Sequence, residues 1–218
     1  MGDELELAAT AGFIAPALRA EFPALRLDWL TIECRLCASP PELRGRLAQL
    51  SNRYRGANVV AMRTQPVPHA YRAFFRQIGL DPDVTRIPSE QAAVDRLLHG
   101  CFRSRDLVAD ALLVALIETG VPVWALEGDL VDAGGLGIRA SLAGDRLGST
   151  MQATHLAPGR LVVADASRVH ALLFGDVAPG HSVSLRTTQI ALFAVAVAGV
   201  PSIHVEEALW ACVETLHS

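Results

Sequence analysis

Lysine is absent from this 218-residue sequence, so all nineteen basic residues are arginines. Arginine stays charged and grips phosphate or carboxylate as a planar fork. Charge is also sparse, at 19%, and aromatics make up only 6%, whereas 51% of the residues are hydrophobic and the mean hydropathy is +0.31. That balance excludes disorder as the main state. Long apolar runs are missing too. The best candidate, Ile190 to Val200, stops at Pro201 after eleven residues, where a bilayer span needs roughly 20. It reads as a buried strand or core helix. The acidic start, Met1-Gly2-Asp3-Glu4-Leu5-Glu6, has no basic n-region and carries Glu6 where myristoylation needs Ser or Thr. The expectation is a cytoplasmic protein with no membrane partner.

Cysteine is scarce: Cys34, Cys37, Cys101 and Cys212. Cys34-x-x-Cys37 falls in a run from Leu27 to Leu36 that alternates like a strand. Residues three apart on a strand point to opposite faces, so the pair is not expected to chelate one ion. No second such pair exists. Buried free thiols and no metal site are expected.

The net charge of −4 is unevenly spread. Residues 43–105 hold eleven arginines against four acids; the rest holds eight arginines against nineteen acids. An acidic body is a poor general binder of nucleic acid, but a basic segment on it suits local contact with one polyanion. Solvated helix faces account for the same arginines.

Proline and glycine punctuate the first half into helices. A strand is expected over 26–36. Pro40-Pro41 opens a helix over 41–52, and Pro66 and Pro68 precede one from His69 to Ile78, closed by Gly79. Further helices are expected over Glu90–Leu98, behind Ser89, and over Arg105–Glu118, ended by Gly120. After Pro122 the apolar runs shorten. Strands are expected at 121–126, 136–140, 161–163 and 190–197, with a closing helix over 205–216. Gly134-Gly135-Leu136-Gly137 follows no clear strand and reads as a turn. The sum is one α+β domain, residues 1–218, with a helical front half packed on a strand-rich back half.

Standard catalytic signatures are absent: there is no G-x-S-x-G elbow, no phosphate loop ending in Lys, and no H-E-x-x-H. The seven histidines are scattered, without metal-ligand spacing. The informative stretch is Tyr71-Arg72-Ala73-Phe74-Phe75-Arg76-Gln77-Ile78-Gly79-Leu80-Asp81-Pro82-Asp83. At helical spacing Tyr71, Phe74, Phe75 and Ile78 form an apolar stripe, with Arg72 and Arg76 on a neighbouring face. Two arginines one turn apart suit a phosphate and equally suit carboxylates of neighbouring elements.

This stretch, with Arg86-Ile87-Pro88-Ser89-Glu90, Leu107-Val108-Ala109-Asp110, Thr119-Gly120-Val121-Pro122-Val123, Gly137-Ile138-Arg139-Ala140, Leu161-Val162-Val163-Ala164-Asp165 and Arg186-Thr187-Thr188, resembles the stand-alone proteins of the B3/B4 domain family. These are similar to the editing domain of the bacterial phenylalanyl-tRNA synthetase beta subunit. The resemblance covers about residues 20 to 216. It implies a three-layer fold, a β-sandwich of unusual topology covered by helices. It also implies hydrolysis of the ester joining a wrong amino acid to tRNA, acting in trans, with no metal or organic cofactor. The implied partners are tRNA or aminoacyl-tRNA, and a synthetase or other tRNA-dependent enzyme.

The resemblance has departures. Trp124 stands where the synthetase pattern has histidine, Phe193 where it has an acid, and Leu113 where it has asparagine. A pocket so changed has lost the partners of a tyrosine hydroxyl. Its substrate is less polar, or the protein binds without catalysing. An activated ester needs only a held adenosine and one placed water, so no nucleophile–histidine pair is required. Asp110, Glu118, Thr187 and Thr188 are the candidates for placing water or substrate. Trp124 and Phe193 are expected to line an apolar pocket, with Arg139 and His181 against phosphate or ribose. Arg72, Arg76, Arg86, Arg103 and Arg105 are the expected contacts to the tRNA backbone. The alternatives are a module that binds aminoacyl-tRNA or an amino-acid-like ligand without turnover, and an interaction domain meeting an acidic protein.

Overall fold

The computed structural model describes residues 8–54, 56–148 and 153–217. The acidic residues 1–7, which carry the expectation of no leader, lie outside them. Two short strands, β1 (Thr10–Ala11) and β2 (Phe13–Ile14), lead into helix α1 (Pro16–Glu21) and strand β3 (Arg26–Glu33). Four helices follow: α2 (Pro41–Arg53), α3 (Gly56–Met62), α4 (Pro66–Gln77) and α5 (Pro88–His99). Then come α6 (Leu107–Thr119), β4 (Val123–Glu127), β5 (Gly137–Ala140), β6 (Arg146–Leu147), β7 (Thr154–His155), β8 (Leu161–Ala164), β9 (Val169–Leu172), β10 (Gln189–Ala196) and α7 (Ser202–His217). The protein is mixed α+β, with seven helices and two sheets among the described residues.

The first sheet runs β1-β3-β10-β4 and is antiparallel throughout. The second runs β2-β5-β8-β9-β6-β7, with parallel pairs at β2/β5 and β6/β9. Residues Ile190 to Ala196 of β10 are all buried, as a strand covered on both faces must be. Helix α7 packs on β10 and α6 packs on α7. Ile138, Val163 and Ala171 of the second sheet share a core with Ile190 and Leu192 of the first.

Most helix ends follow their sequence signals. Prolines sit in the first turns of α2, α4 and α5. Asp106 caps α6, its Oδ1 accepting from the Ala109 amide at 2.8 Å, and Gly120 ends the helix at φ 77°. The glycine-rich run is the expected turn: the Gly135 amide donates to the Asp132 carbonyl at 2.8 Å. Gly137 then opens β5, where a Cβ would stand 2.3 Å from the Phe13 ring. Only glycine permits that β2–β5 approach.

Several expectations need correction. Strand β3 ends at Glu33, so Cys34 and Cys37 lie in the coil beyond it and no strand sets their faces. Cys37 and Cys101 are exposed and Cys34 is half-buried; of the four thiols only Cys212 is buried. Helices α1 and α3 and strands β1, β2, β6, β7 and β9 are additional elements, four of them two-residue strands whose pairing is tertiary. No helix among the described residues is long and apolar enough to cross a membrane.

Candidate functional site

A cleft of about 570 Å3 opens between α5, α6, β4 and the turn after β9. Its volume falls within the roughly 300–1,000 Å3 of ligand sites. The floor is apolar: Leu112, Leu113 and Leu116 of α6, Val123 and Trp124 of β4, and Phe174. The rim is basic, with Arg96 from α5 and Arg103 and Arg105 from the connection to α6. Arg96 is tied by its Nε to the Ser51 carbonyl at 2.9 Å. Arg103 and Arg105 are exposed and make no side-chain hydrogen bond or ion pair among the described residues. The cleft therefore presents an apolar surface with unspent cationic forks at its edge, which suits a ligand that joins an apolar group to an anionic one.

Asp110 reaches this wall buried, at 1% exposure. Its Oδ2 accepts from the hydroxyls of Ser39, at 2.6 Å, and Ser104, and its Oδ1 accepts from the Arg105 amide at 2.9 Å. Three donors hold the carboxylate, and through it Asp110 positions the segment that carries Arg103 and Arg105. It positions the basic rim, and three of its roughly four acceptor sites are taken, with one left on Oδ1.

Trp124 stacks on Phe193, ring centroids 5.4 Å apart and planes 10° apart. The two are cross-strand partners on β4 and β10. Phe193 is buried behind the indole and does not itself line the cleft. Phe174 closes the far end. It sits at φ 58°, the left-handed region, in a turn where the Gly175 amide donates to the Leu172 carbonyl at 3.0 Å. Its ring lies 5.4–5.8 Å from those of Tyr71, Phe74, Phe75 and Trp124. A bulky residue costs about 1–2 kcal/mol in this conformation, and three edge contacts and one tilted contact to aromatic rings offset it.

The other candidates lie elsewhere. Arg72 is 6% exposed and donates to Glu90 at 2.9 Å and to Asp83 at 2.8 Å. Helix α4 buries a stripe from Val67 to Phe75 that takes in Arg72, and α5 supplies the answering carboxylate. Arg72 is thus removed from the expected tRNA contacts. Arg76 and Arg86 are exposed, outside the cleft lining. Glu118 is clamped by Arg46 at 2.7 and 3.1 Å, and Arg139 is paired with Asp145. The Thr187 hydroxyl donates to the Glu127 carboxylate and accepts from the Ser184 amide at 2.8 Å. Thr188 is exposed beside Glu33, Cys34 and Asp129 in a separate groove. The candidate catalytic set is therefore dispersed: Asp110 lines the cleft, and Glu118, Thr187 and Thr188 do not, nor does Arg139 of the expected pocket.

His181 belongs to a buried cluster. Asp165 Oδ2 lies 2.7 Å from His170 Nε2, and His170 Nδ1 lies 3.1 Å from His181 Nδ1. Burial first, and then His170, push His181 down to about 4. Burial also lowers His170, against the pull of Asp165. For Asp165, burial works upward, but the bonds from His170 and the Asp132, Ser167 and Arg168 amides prevail and hold it at about 2. This cluster joins β8, β9 and the 179–184 loop, outside the cleft lining.

His99, Arg96 and Phe174 line the cleft but are not among the sequence candidates. For His99 the available signal is its place between Arg96 and Arg103 in the basic segment. Phe174 gives no signal, since its role depends on rings distant in sequence. No group of three or more His, Cys, Asp or Glu suited to a metal ion occurs among the described residues. Neither protein-family models nor curated proteins give a match to this chain.

Proposed function

We propose that the protein is a B3/B4-type domain that removes an apolar amino acid from a mischarged tRNA by ester hydrolysis in the α5–α6–β4 cleft. The observation that carries this reading is convergence. Asp110, Trp124, Arg103 and Arg105 are each sequence candidates, and Leu113 marks a departure from the synthetase pattern. All five line one cleft. The apolar floor suits a side chain with no polar end, since a buried hydroxyl left unpaired there costs about 1–3 kcal/mol. The exposed Arg103 and Arg105 suit the phosphates of the tRNA 3′ end. The helix–sheet–sheet layering is compatible with the three layers that the resemblance implies.

The hydrogen bonding of Asp110, three donors on one carboxylate, favours a second reading. With that carboxylate occupied, the same cleft serves a module that holds aminoacyl-tRNA without turnover. One experiment separates the two. Cellular tRNA is charged with each amino acid in turn, incubated with the protein at low salt, and followed for ester loss against a protein-free control. Rapid loss of one apolar aminoacyl ester is expected. Intact esters throughout, with a retained gel shift, support the binding module. Intact esters without a gel shift overturn both.

A further inference from the structure

We infer that His99 is the general base of the cleft, acting through its Nε2 atom; the assignment rests on the reading of the cleft as a site of ester hydrolysis. His99 ends α5, is exposed and lines the cleft. Its Nδ1 lies 2.8 Å from the backbone carbonyl of Asp95. A carbonyl oxygen only accepts, so Nδ1 carries the ring hydrogen. The neutral imidazole therefore holds its lone pair on Nε2. That atom has no hydrogen-bond partner among the described residues. The bond to Asp95 both selects the tautomer and fixes the ring.

The other polar groups of the cleft serve this purpose less well. Asp110 is occupied by Ser39, Ser104 and the Arg105 amide. Arginines keep their protons. Asp95, one Oδ of which accepts from Gln91 at 2.8 Å, is a carboxylate, a far weaker base than imidazole at neutral pH. The charged groups lining the cleft with His99 are Asp95 and Arg96 on its own helix, Arg103 and Arg105 on the following loop, and Asp110 on α6; β4 and Phe174 bring none. The cationic majority favours an anionic ligand.

The step balances on these groups alone. Nε2 takes a proton from water as the water oxygen bonds to the ester carbonyl carbon. The tetrahedral intermediate then breaks its bond to the ribose oxygen, which leaves with the proton returned from Nε2. The products are the free amino acid and the tRNA hydroxyl.

His99→Asn tests this, because the Asn amide keeps an N–H donor toward the Asp95 carbonyl and removes the base. Single-turnover deacylation is followed between about pH 5 and 8, where imidazole exchanges its proton. The wild-type rate above background is expected to climb with pH. His99→Asn is expected to lose about 100-fold or more and that climb, with its tRNA gel shift unchanged. An unchanged rate and profile in His99→Asn overturn the assignment while leaving the hydrolase reading standing. Loss in Asp95→Asn alone overturns it in favour of that carboxylate. A wild type that hydrolyses no ester overturns the hydrolase reading and the assignment together. Independently of any tRNA, ring-nitrogen NMR of His99 is expected to show Nδ1 protonated and Nε2 bare; the reverse tautomer overturns the proposal.

Discussion

Arg72 on α4 and Glu90 on α5 form a buried ion pair, with one guanidinium nitrogen 2.9 Å from each carboxylate oxygen. Their side chains are 7% and 6% exposed. Asp83 takes the second guanidinium nitrogen, so both terminal nitrogens of the arginine are engaged before any ligand arrives. Arg63 stands 3.5 Å from Glu90 and 3.2 Å from Asp83, so removing Arg72 leaves the buried Glu90 with the half-exposed Arg63 as its one remaining ion-pair partner among the described residues. Arg72→Ala is expected to lose about 3–5 kcal/mol in urea unfolding. Arg76→Ala, one turn away and exposed, is expected to stay within about 0.5 kcal/mol. Equal stability in the two variants contradicts the structural role of Arg72.

Asp110→Ala strips the acceptor from two serine hydroxyls and the Arg105 amide. A loss of about 2–4 kcal/mol is expected, together with faster amide exchange over residues 103–106. Any fall in activity in this variant then follows displacement of the basic rim. Unchanged exchange in that segment contradicts it.

Phe174 reverses the usual order of helix- and strand-type substitutions. At a left-handed position glycine is unstrained and alanine is not. Both Phe174→Ala and Phe174→Gly remove the aromatic ring from its neighbours and are expected to be destabilised. Phe174→Gly is expected to be the more stable of the two, by about 1 kcal/mol. Urea midpoints of the two variants decide the matter.

The buried histidines set the acid limit. His170 and His181 are lowered in the folded state, His181 to about 4, while the unfolded chain takes up protons at the ordinary histidine value of about 6.5. The unfolded state binds more protons between those values, so stability falls as pH drops from about 6.5 toward 4 and is level above. The expected loss is on the order of 3 kcal/mol. Asp165, held at about 2, keeps its contribution through that window and loses it only below about 3.8. Unfolding free energies that match at about pH 7 and pH 4.5 contradict this.

The exposed rim governs salt dependence. Removing one arginine that neutralises a phosphate reduces the slope of log affinity against log salt by about 0.7–0.9. Replacing Arg103 and Arg105 together by alanine is expected to flatten the tRNA-binding slope by about 1.5, with stability little changed. A parallel line displaced downward contradicts direct phosphate binding by these two side chains.

Local chemistry in the chain determined much of this protein by itself. Prolines and glycines mark the ends of α2, α4, α5 and α6 to within a few residues, because they act through the backbone of their own segment. The apolar run at 190–197 is the buried central strand, since its composition suits no solvated face. The α+β class follows from those two patterns together. Tertiary structure alone decided which polar side chains are spoken for. Arg72 and Arg76 look alike in sequence, and only the arrival of Glu90 buries one and leaves the other in water. Asp110 reads as a free carboxylate until Ser39, seventy-one residues earlier, folds onto it. His99 reads as an ordinary surface histidine until α6, β4 and the Phe174 turn close a cleft around it. Partners distant in the chain leave no periodic trace, and hydrogen bonding and burial, which set a side chain's chemistry, depend on those partners.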